Sequence, residues 1–233
     1  MNILVTGASK GIGKAIAEEL QDTGNLFVTG RNIEALESLN SKGFCACDLA
    51  EDITELITFI KKNKIDVLIN NAGEYIYGAI DSVDFDKINH LYNTNLIAPT
   101  KLIAAAVTNM KEKKWGRIIN IGSISGVMGE AHAGIYSASK AGLLGLTKAL
   151  ALELAEFNIT VNTINPGWVE TGLGMNSIEE SDFSKEEIIE CIPQRRFVKP
   201  EEVAKLVRYL ISEDAKGITG QGINICAGLS VGI

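Results

Sequence analysis

Seven short runs of apolar and β-branched residues alternate with amphipathic stretches, and this alternation limits the fold more than any other feature of the sequence. The runs are bounded by Gly, Asn or Asp and are almost continuously hydrophobic, as strands covered on both faces are. The predicted strands are residues 3–6, 26–29, 44–47, 67–70, 117–121, 160–164 and 222–226. The predicted helices are residues 12–23, 33–40, 52–63, 85–112, 136–157, 184–191 and 200–212. The pattern predicts an α/β fold with a doubly wound parallel sheet of about seven strands and helices on both faces.

Composition narrows the class of protein further. The 233 residues carry a formal charge of −7, which argues against nucleic acid and against an anionic membrane as partners. No apolar run approaches the ~20 residues that cross a bilayer, and the start of the chain runs directly into strand-like sequence without a leader pattern. Four cysteines that fit reduced thiols complete the prediction of a cytoplasmic protein. Because the sequence contains no linker or repeat, residues 1–233 are expected to form one domain. We expect no metal site, because the two histidines lack partner ligands at suitable spacing.

The first predicted strand runs into a glycine-rich turn, Thr6-Gly7-Ala8-Ser9-Lys10-Gly11-Ile12-Gly13, which opens a helix. Gly7 permits the tight turn, Gly11 lets the backbone approach a pyrophosphate, and Gly13 lets the helix pack closely on the strand. The start of the helix would offer free N–H groups and a positive dipole end to phosphates. A plain strand-to-helix turn is the alternative, but the strand before and the helix after favour a dinucleotide site in a Rossmann-like sheet.

Two basic residues bear on which dinucleotide would bind. Arg31 follows the second predicted strand, where an acid would hold the ribose 2′-hydroxyl of NAD and a base accommodates the 2′-phosphate of NADP. Lys10 in the turn adds a second positive charge, so the pair predicts NADP(H); the alternative for each base is a solvated surface position. Asp48, after the third predicted strand, is either an acceptor for the adenine amino group or a helix N-cap.

Tyr136 and Lys140 are four residues apart near the start of a predicted helix, so their side chains share one face. A neighbouring ammonium favours the tyrosinate and is expected to lower the pKa of the tyrosine towards working pH. The spacing alone is commonplace. It gains weight from Ser123, a hydroxyl just beyond a buried strand that could hold a substrate carbonyl.

Together these segments resemble the short-chain dehydrogenase/reductase family. The matching pieces occur in the family's order and span nearly the whole chain: residues 6–13, 70–73, Asn95, Ser123, Tyr136, Lys140, Pro166-Gly167 and Thr171. Residues 120–126, 136–145, 159–171, 192–195 and 218–220 are most similar to the 3-oxoacyl-carrier-protein reductase branch of that family.

The resemblance implies a role for each matched catalytic position. Tyr136 would protonate the carbonyl oxygen while a nicotinamide delivers hydride, and Lys140 would lower the tyrosine pKa and hold the nicotinamide ribose. Ser123 would orient the carbonyl and stabilise developing negative charge. Asn95 would position a water that links Lys140 to solvent. The implied contacts to NADP(H) are Gly7, Ser9, Lys10, Gly11, Ile12, Gly13, Arg31, Asp48, Leu49, Asn71, Ala72, Gly73, Tyr136, Lys140, Pro166, Gly167, Val169 and Thr171.

The leading functional hypothesis is an NADPH-dependent ketoreductase acting on a 3-oxoacyl thioester. The alternatives are a short-chain dehydrogenase for a free alcohol or ketone, such as a sugar, a steroid or an antibiotic intermediate, and a non-catalytic NADP-binding sensor or scaffold. The intact set of Asn95, Ser123, Tyr136 and Lys140 favours an enzyme.

Partners follow from the same resemblance. The substrate is a small molecule or a carrier-bound acyl group, with an acyl carrier protein as a possible partner. Carrier-dependent members tend to have basic residues at two helix ends. At the end of the helix before the Ser123 strand, these basic residues are Lys111, Lys113, Lys114 and Arg117. At the end of the helix that contains Lys140, residues 155–158 include no base. The alternative is that the basic run is an ordinary solvated helix end.

Two further expectations concern the lid and the assembly. Polar, weakly periodic sequence predicts a substrate lid around residues 172–199. Small residues mark one side of the catalytic helix at Ala138, Ala141, Gly142 and Gly145, and because the family assembles through such helices we expect a homotetramer, or a homodimer.

Overall fold

The structure is a computed structural model that describes residues 1–179 and 183–231. Within these residues one parallel sheet contains strands β1 (Asn2–Thr6), β2 (Asn25–Gly30), β3 (Gly43–Ala46), β4 (Val67–Asn70), β5 (Gly116–Ile121), β6 (Ile159–Pro166) and β7 (Gly222–Ile225). The strand order is β3-β2-β1-β4-β5-β6-β7, which reverses direction between β1 and β4. A doubly wound α/β fold is therefore confirmed, and its ligand crevice is expected at that reversal.

The helices lie in the connections between the strands and cover both faces of the sheet. They are α1 (Gly11–Glu19), α2 (Ile33–Glu37), α3 (Thr54–Lys62), α4 (Phe85–Tyr92), α5 (Ala98–Lys113), α6 (Ser125–Met128), α7 (Gly134–Leu154), α8 (Gly172–Glu179), α9 (Lys185–Cys191) and α10 (Pro200–Leu210). None of the helices in the described ranges is both long enough and apolar enough to span a bilayer.

Burial on both faces explains why the strands are almost continuously hydrophobic. Alternate residues of a strand point to opposite faces. Ile3 and Val5 of β1 belong to a core that includes buried residues of α1 and α10. Leu4, between them, belongs to a second core with buried residues of α3, α5 and α7. All three β1 side chains are fully buried, so neither face of this central strand tolerates a polar residue without a partner.

The predicted strands agree with the observed ones to within two residues at every end. The helix predicted over residues 85–112 is interrupted, because the turn Asn93–Ile97 between α4 and α5 is widened into a π-helical turn. A single π-helical turn hardly changes the hydrophobic pattern of a helix, so it is difficult to predict from sequence. Such turns are frequent at functional sites. The interruption lies at Asn95, a predicted catalytic residue.

The predicted lid contains two short helices: α9, which agrees with the helix predicted over residues 184–191, and α8, which the weak periodicity did not resolve. Helix α9 begins with a capping box in which the Ser184 hydroxyl accepts from the Glu187 N–H and the Glu187 carboxylate accepts from the Ser184 N–H. Residues 180–182 of the predicted lid lie outside the described residues. Movement of this segment stays a prediction.

Candidate active site

A cavity of about 790 Å³ opens where the carboxyl ends of the central strands meet. The residues after β1 to β6 line it, together with α8 and α9 from the predicted lid. All predicted cofactor contacts line this cavity except Gly13, and all predicted catalytic residues line it except Asn95. Both exceptions are packed behind the cavity wall. Among residues 1–179 and 183–231, no group of three or more His, Cys, Asp or Glu side chains could hold a metal ion.

The glycine-rich turn has a shape that only glycine accommodates. Gly7 and Gly11 adopt left-handed backbone conformations, with φ of 65° and 56°. A Cβ on Gly7 would lie 2.8 Å from the Ala72 Cα, and one on Gly13 would overlap the Gly7 carbonyl oxygen. No side chain caps the first N–H groups of α1 at Lys10. The turn therefore presents uncapped backbone donors to the cavity, which fits a pyrophosphate group.

Thr6 joins this turn to the residues that follow β4. Its hydroxyl oxygen accepts from the backbone N–H groups of Asn71 and Ala72, at 2.9 and 3.0 Å. The Asn71 amide returns a bond of 2.9 Å to the Thr6 carbonyl oxygen. Two loops from adjacent strands are thus held at fixed separation on either side of the crevice.

The same cavity contains an arginine held by two carboxylates. Nη1 of Arg31 lies 3.2 Å from Asp48 Oδ2 and 3.2 Å from Glu74 Oε1. Burial alone would raise the pKa of Asp48, but the Ala50 N–H and Arg31 outweigh it and hold that pKa below its usual range. His90 Nε2 lies 3.1 Å from the other Glu74 oxygen. The Asp48 side chain closes a turn onto Ala50 and pairs with Arg31 instead of capping a helix, while its role as an acceptor for the adenine amino group stays a prediction.

The segment after β6 closes the cavity from the other side. The Gly167 N–H donates to the Ile225 carbonyl oxygen at 3.0 Å, and a Cβ on Gly167 would lie 2.9 Å from the Cys226 Cβ. Thr171 Oγ1 accepts from the Gly174 N–H at 3.2 Å and so supports the start of α8. Pro166, Gly167, Val169 and Thr171 all face the cavity, as predicted.

Tyr136 and Lys140 lie on the buried face of α7, at the floor of the cavity. Nζ of Lys140 donates to the Ile121 carbonyl oxygen at 2.9 Å, which ties α7 to the end of β5. The same Nζ is 5.7 Å from the centre of the Tyr136 ring. Burial lowers the pKa of Lys140 to about 8, because the charged form loses its hydration.

The expected fall in the pKa of Tyr136 is not what the structure shows. Burial raises that pKa to about 12; a hydrogen bond with Ser123 opposes the rise, and the charge of Glu130 adds to it. Desolvation of the phenolate outweighs the nearby lysine. The phenol is therefore protonated at neutral pH, which is the form that can donate a proton.

Asn95 is fully buried and fixes the loop that follows β4. Its Oδ1 accepts from the Glu74 N–H at 2.8 Å, and its Nδ2 donates to the Glu74 carbonyl oxygen at 2.9 Å and to Ser139 Oγ at 3.2 Å. A Cβ on Gly73 would lie 3.2 Å from Lys140 Nζ and 3.4 Å from Asn95 Oδ1. The widened turn before α5 thus places an amide on one side of Gly73 and the lysine on the other.

Sequence reasoning missed a carboxylate in this site. Glu130 lines the cavity and accepts from Ser125 Oγ at 2.6 Å and from the Tyr75 hydroxyl at 2.7 Å. It is the only acidic residue between Ser123 and Lys140, which is the signal that could have found it. His132 and Trp168 also line the cavity.

The cost of burying Lys140 yields a stability prediction. The pKa of Lys140 is about 8 in the folded protein against 10.5 for the free side chain, so its charge opposes folding below pH 8. Stability rises as pH increases from about 8 to 10.5, because the unfolded chain then binds more protons. Lys140→Met is expected to be more stable at pH 7, by up to about 3 kcal/mol less the lost bond to Ile121.

Thermal unfolding between pH 7 and 10 would measure this effect. The advantage of Lys140→Met should shrink steadily above pH 8. A variant that is less stable than the native chain at pH 7, or a difference independent of pH, would contradict the buried-charge account.

Comparison with known proteins places this geometry in a family. Residues 7–230 match the family described as enoyl-(acyl carrier protein) reductase. The chain is 38% identical to the 3-oxoacyl-acyl-carrier-protein reductase FabG of Rickettsia conorii, over 97% of this chain and 95% of the relative. The reductase FabG of Buchnera aphidicola is 36% identical, over 97% of this chain and 96% of the relative.

Solved structures agree with the sequence comparison. A variant of actinorhodin polyketide ketoreductase with NADPH superimposes with a TM-score of 0.90 at 35% identity, covering 99% of this chain and 97% of the other. The extent of these matches and the residues in the cavity lead to one conclusion: the chain belongs to the short-chain dehydrogenase/reductase family and is an NADP-dependent oxidoreductase, close to the FabG branch.

Proposed function

We propose that the protein reduces the 3-oxo group of an acyl thioester with NADPH, and that Tyr136 is the proton donor. The observation that carries the proposal is the common cavity: Ser123, Tyr136 and Lys140 line the same space as the glycine-rich turn. The matched relatives named as ketoacyl reductases support a reductase of 3-oxo groups.

In this mechanism Ser123 and Tyr136 act on the substrate oxygen. The Ser123 hydroxyl donates a hydrogen bond to the carbonyl and stabilises negative charge as it develops on the oxygen. The Tyr136 phenol, protonated at neutral pH, transfers its proton to that oxygen. When bound, NADPH supplies the hydride to the carbonyl carbon. The product is the 3-hydroxyacyl thioester.

Lys140 and Asn95 support the proton transfer. The ammonium of Lys140, held on the Ile121 carbonyl, is close enough to the Tyr136 ring to stabilise the tyrosinate left after transfer. Lys140 would also hold the nicotinamide ribose. Asn95 fixes the Glu74 backbone beside Gly73 and so keeps the space around the Lys140 Nζ constant. Its proposed role is to maintain a polar route from Lys140 towards solvent.

The remaining predicted residues would hold the cofactor. The turn with Gly7, Ser9, Lys10, Gly11, Ile12 and Gly13 would bind the pyrophosphate, with Asn71, Ala72 and Gly73 along the cofactor and Pro166, Gly167, Val169 and Thr171 around the nicotinamide. Asp48 and Leu49 would border the adenine, and Arg31 with Lys10 would bind the 2′-phosphate. A phosphate at Arg31 would compete with Asp48 and Glu74 for the same guanidinium.

The basic run predicted as half of a carrier-docking patch is largely used within the chain. Arg117 is fully buried, pairs with Glu213 at 3.1 Å and lies over the Trp115 ring, so it is not a surface base. Lys113 pairs with Asp66.

The other two bases of the run differ in their contacts. Lys111 pairs with Glu153 at 3.5 Å. Within residues 1–179 and 183–231, Lys114 is exposed without an ion pair. We therefore propose an acyl thioester substrate whose carrier, protein or coenzyme A, does not depend on this run.

The proposed assembly is a homotetramer, or a homodimer, in the cytoplasm. Leu152 on α7 is 85% exposed, and Ala138, Ala141 and Gly145 are exposed on the same helix. The small size of Gly142 has a reason within the chain, because a Cβ at this position would lie 2.9 Å from Leu96 Cδ2. An apolar side chain among exposed small residues fits a helix-to-helix contact between copies.

Removal of the Arg31 charge tests the cofactor assignment. Arg31→Gln is expected to lower kcat/KM for NADPH about ten- to a hundredfold, because a charge-assisted bond to the 2′-phosphate is lost. Turnover with NADH should change little. Arg208→Gln is a matched control, since Arg208 is also held by two carboxylates, Glu19 and Asp22, but does not line the cavity. An unchanged NADPH-to-NADH ratio in Arg31→Gln would place the 2′-phosphate elsewhere.

Tyr136→Phe tests the proton donor directly. The substitution keeps the ring and removes the proton, so turnover should fall about a hundred- to ten-thousand-fold while NADPH binding is retained. Steady-state rates and NADPH fluorescence titration measure the two effects. Tyr209→Phe, on the exposed face of α10, should behave like the native chain. Near-native turnover by Tyr136→Phe would contradict the proposed role of Tyr136 as the proton donor.

A further inference from the structure

We propose that Glu130 is a positioning residue of the active centre, which orients Ser123 through Ser125 and the Tyr136 ring through Tyr75, and which places a negative charge next to these groups. This inference rests on the proposed function, in which Tyr136 is the proton donor. It adds a carboxylate to a site whose family resemblance implied only Asn95, Ser123, Tyr136 and Lys140.

A directed chain of hydrogen bonds runs from the tyrosine to the carboxylate. Tyr136 shares a hydrogen bond with Ser123. Ser123 Oγ lies 3.2 Å from Ser125 Oγ, so the single Ser123 proton is shared between Ser125 and Tyr136, and the Ser125 hydroxyl donates to Glu130 Oε2 at 2.6 Å. Because a carboxylate only accepts, it fixes the direction of the Ser125 hydroxyl and leaves the oxygen of that hydroxyl to accept from Ser123.

A second contact fixes the Ser123 oxygen itself. The backbone N–H of Ser125 donates to Ser123 Oγ at 3.1 Å, so Ser123 remains anchored when its own proton turns towards a substrate carbonyl. Ser123 and Ser125 are both buried. Glu130 thus determines the position of Ser123 without touching the reacting atoms.

The other carboxylate oxygen controls a neighbouring ring. Tyr75 donates to Glu130 Oε1 at 2.7 Å, and its ring packs edge-on against the Tyr136 ring with centroids 4.9 Å apart. Aromatic pairs in this arrangement hold each other's orientation. Glu130 therefore bears on Tyr136 from two sides, through the serines and through Tyr75.

The electrostatic consequence has a definite sign. Burial makes the largest contribution to the raised pKa of Tyr75, and the hydrogen bond to Glu130 and the charge of Glu130 raise that pKa further. For Tyr136, burial raises the pKa and the charge of Glu130 adds to it. A negative carboxylate disfavours a second negative charge nearby. Without Glu130, both tyrosines should ionise at lower pH.

Other titratable groups face the same space, and the test must separate them from Glu130. They are Lys140 on α7, Glu74, Tyr75 and Tyr77 in the loop after β4, His132 in the loop before α7, Glu187 and Cys191 on α9, and, towards the adenine end, Lys10, Arg31, Cys47 and Asp48. Asp81 faces Glu130 from an adjoining cavity. Among these groups, burial lowers the pKa of Lys140 to about 8, so its titration overlaps the alkaline range. A readout specific to tyrosinate is therefore required.

Glu130→Gln removes the charge and nearly preserves the shape. We expect the alkaline fall in reduction and the alkaline rise in oxidation both to move to lower pH by about one unit. Reduction uses the phenol and oxidation uses the phenolate of the same residue, so the two shifts must be equal. Ultraviolet difference titration of tyrosinate should show the same shift for the Tyr136 component, which is separated from Tyr75 by using Tyr136→Phe and the Glu130→Gln/Tyr136→Phe double variant as references.

Three further variants separate charge, hydrogen bonding and folding. Glu112→Gln, at the exposed end of α5, removes an equal charge away from the cavity and should leave both profiles unchanged. Glu130→Asp keeps the charge, so its pH profile should stay near native while kcat falls. Ser125→Ala breaks the relay but keeps the charge, and should lower kcat/KM at every pH without a shift.

The outcome that overturns the proposal is an unshifted Tyr136 titration in Glu130→Gln, or an equal shift in Ser125→Ala. Thermal unfolding of each variant confirms that a folded protein is being compared. Because the tyrosinate titration needs no turnover, it decides this inference independently of the reaction. Near-native turnover by Tyr136→Phe, in contrast, would remove the proposed function itself.

Discussion

The contact on which this active site depends is the hydrogen bond from the buried Lys140 ammonium to the Ile121 carbonyl at the end of β5. It joins the long helix α7 to the sheet at the place where the cavity begins. Two glycines make the approach possible: a Cβ on Gly126 would lie 2.8 Å from the Lys140 Cβ, and one on Gly73 would lie 3.2 Å from Nζ. The price is a charged group out of water, which opposes folding at neutral pH.

Around this contact the cavity is divided into regions of different charge. The glycine-rich turn offers backbone donors, and the Arg31 end is a cation between two carboxylates. The floor holds a protonated phenol between a lysine and Glu130. Two opposite effects act on Tyr136. Lys140 favours the tyrosinate, whereas burial and the charge of Glu130 favour the phenol. A proton donor needs both, because it must be protonated before the reaction and stabilised after it.

Much of this arrangement could be predicted from the sequence, and the reasons are local. Buried parallel strands leave continuous apolar runs, so all seven were located to within two residues. What escaped prediction depends on contacts between distant residues. Asn95 in the π-helical turn bonds to the backbone of Glu74, and the buried Arg117 pairs with Glu213. The pKa of Tyr136 was predicted in the wrong direction because spacing along a helix carries no information on burial.

The most direct test of the account is the consumption of NADPH by the native protein with a 3-oxoacyl thioester. Acetoacetyl groups on coenzyme A and on an acyl carrier protein would be compared with simple ketones at matched concentrations. The account predicts clear turnover of the thioesters, with a stereochemically defined 3-hydroxyacyl product and much slower reduction of the simple ketones. Turnover of free ketones alone, or of none of these compounds, would contradict the proposed substrate class.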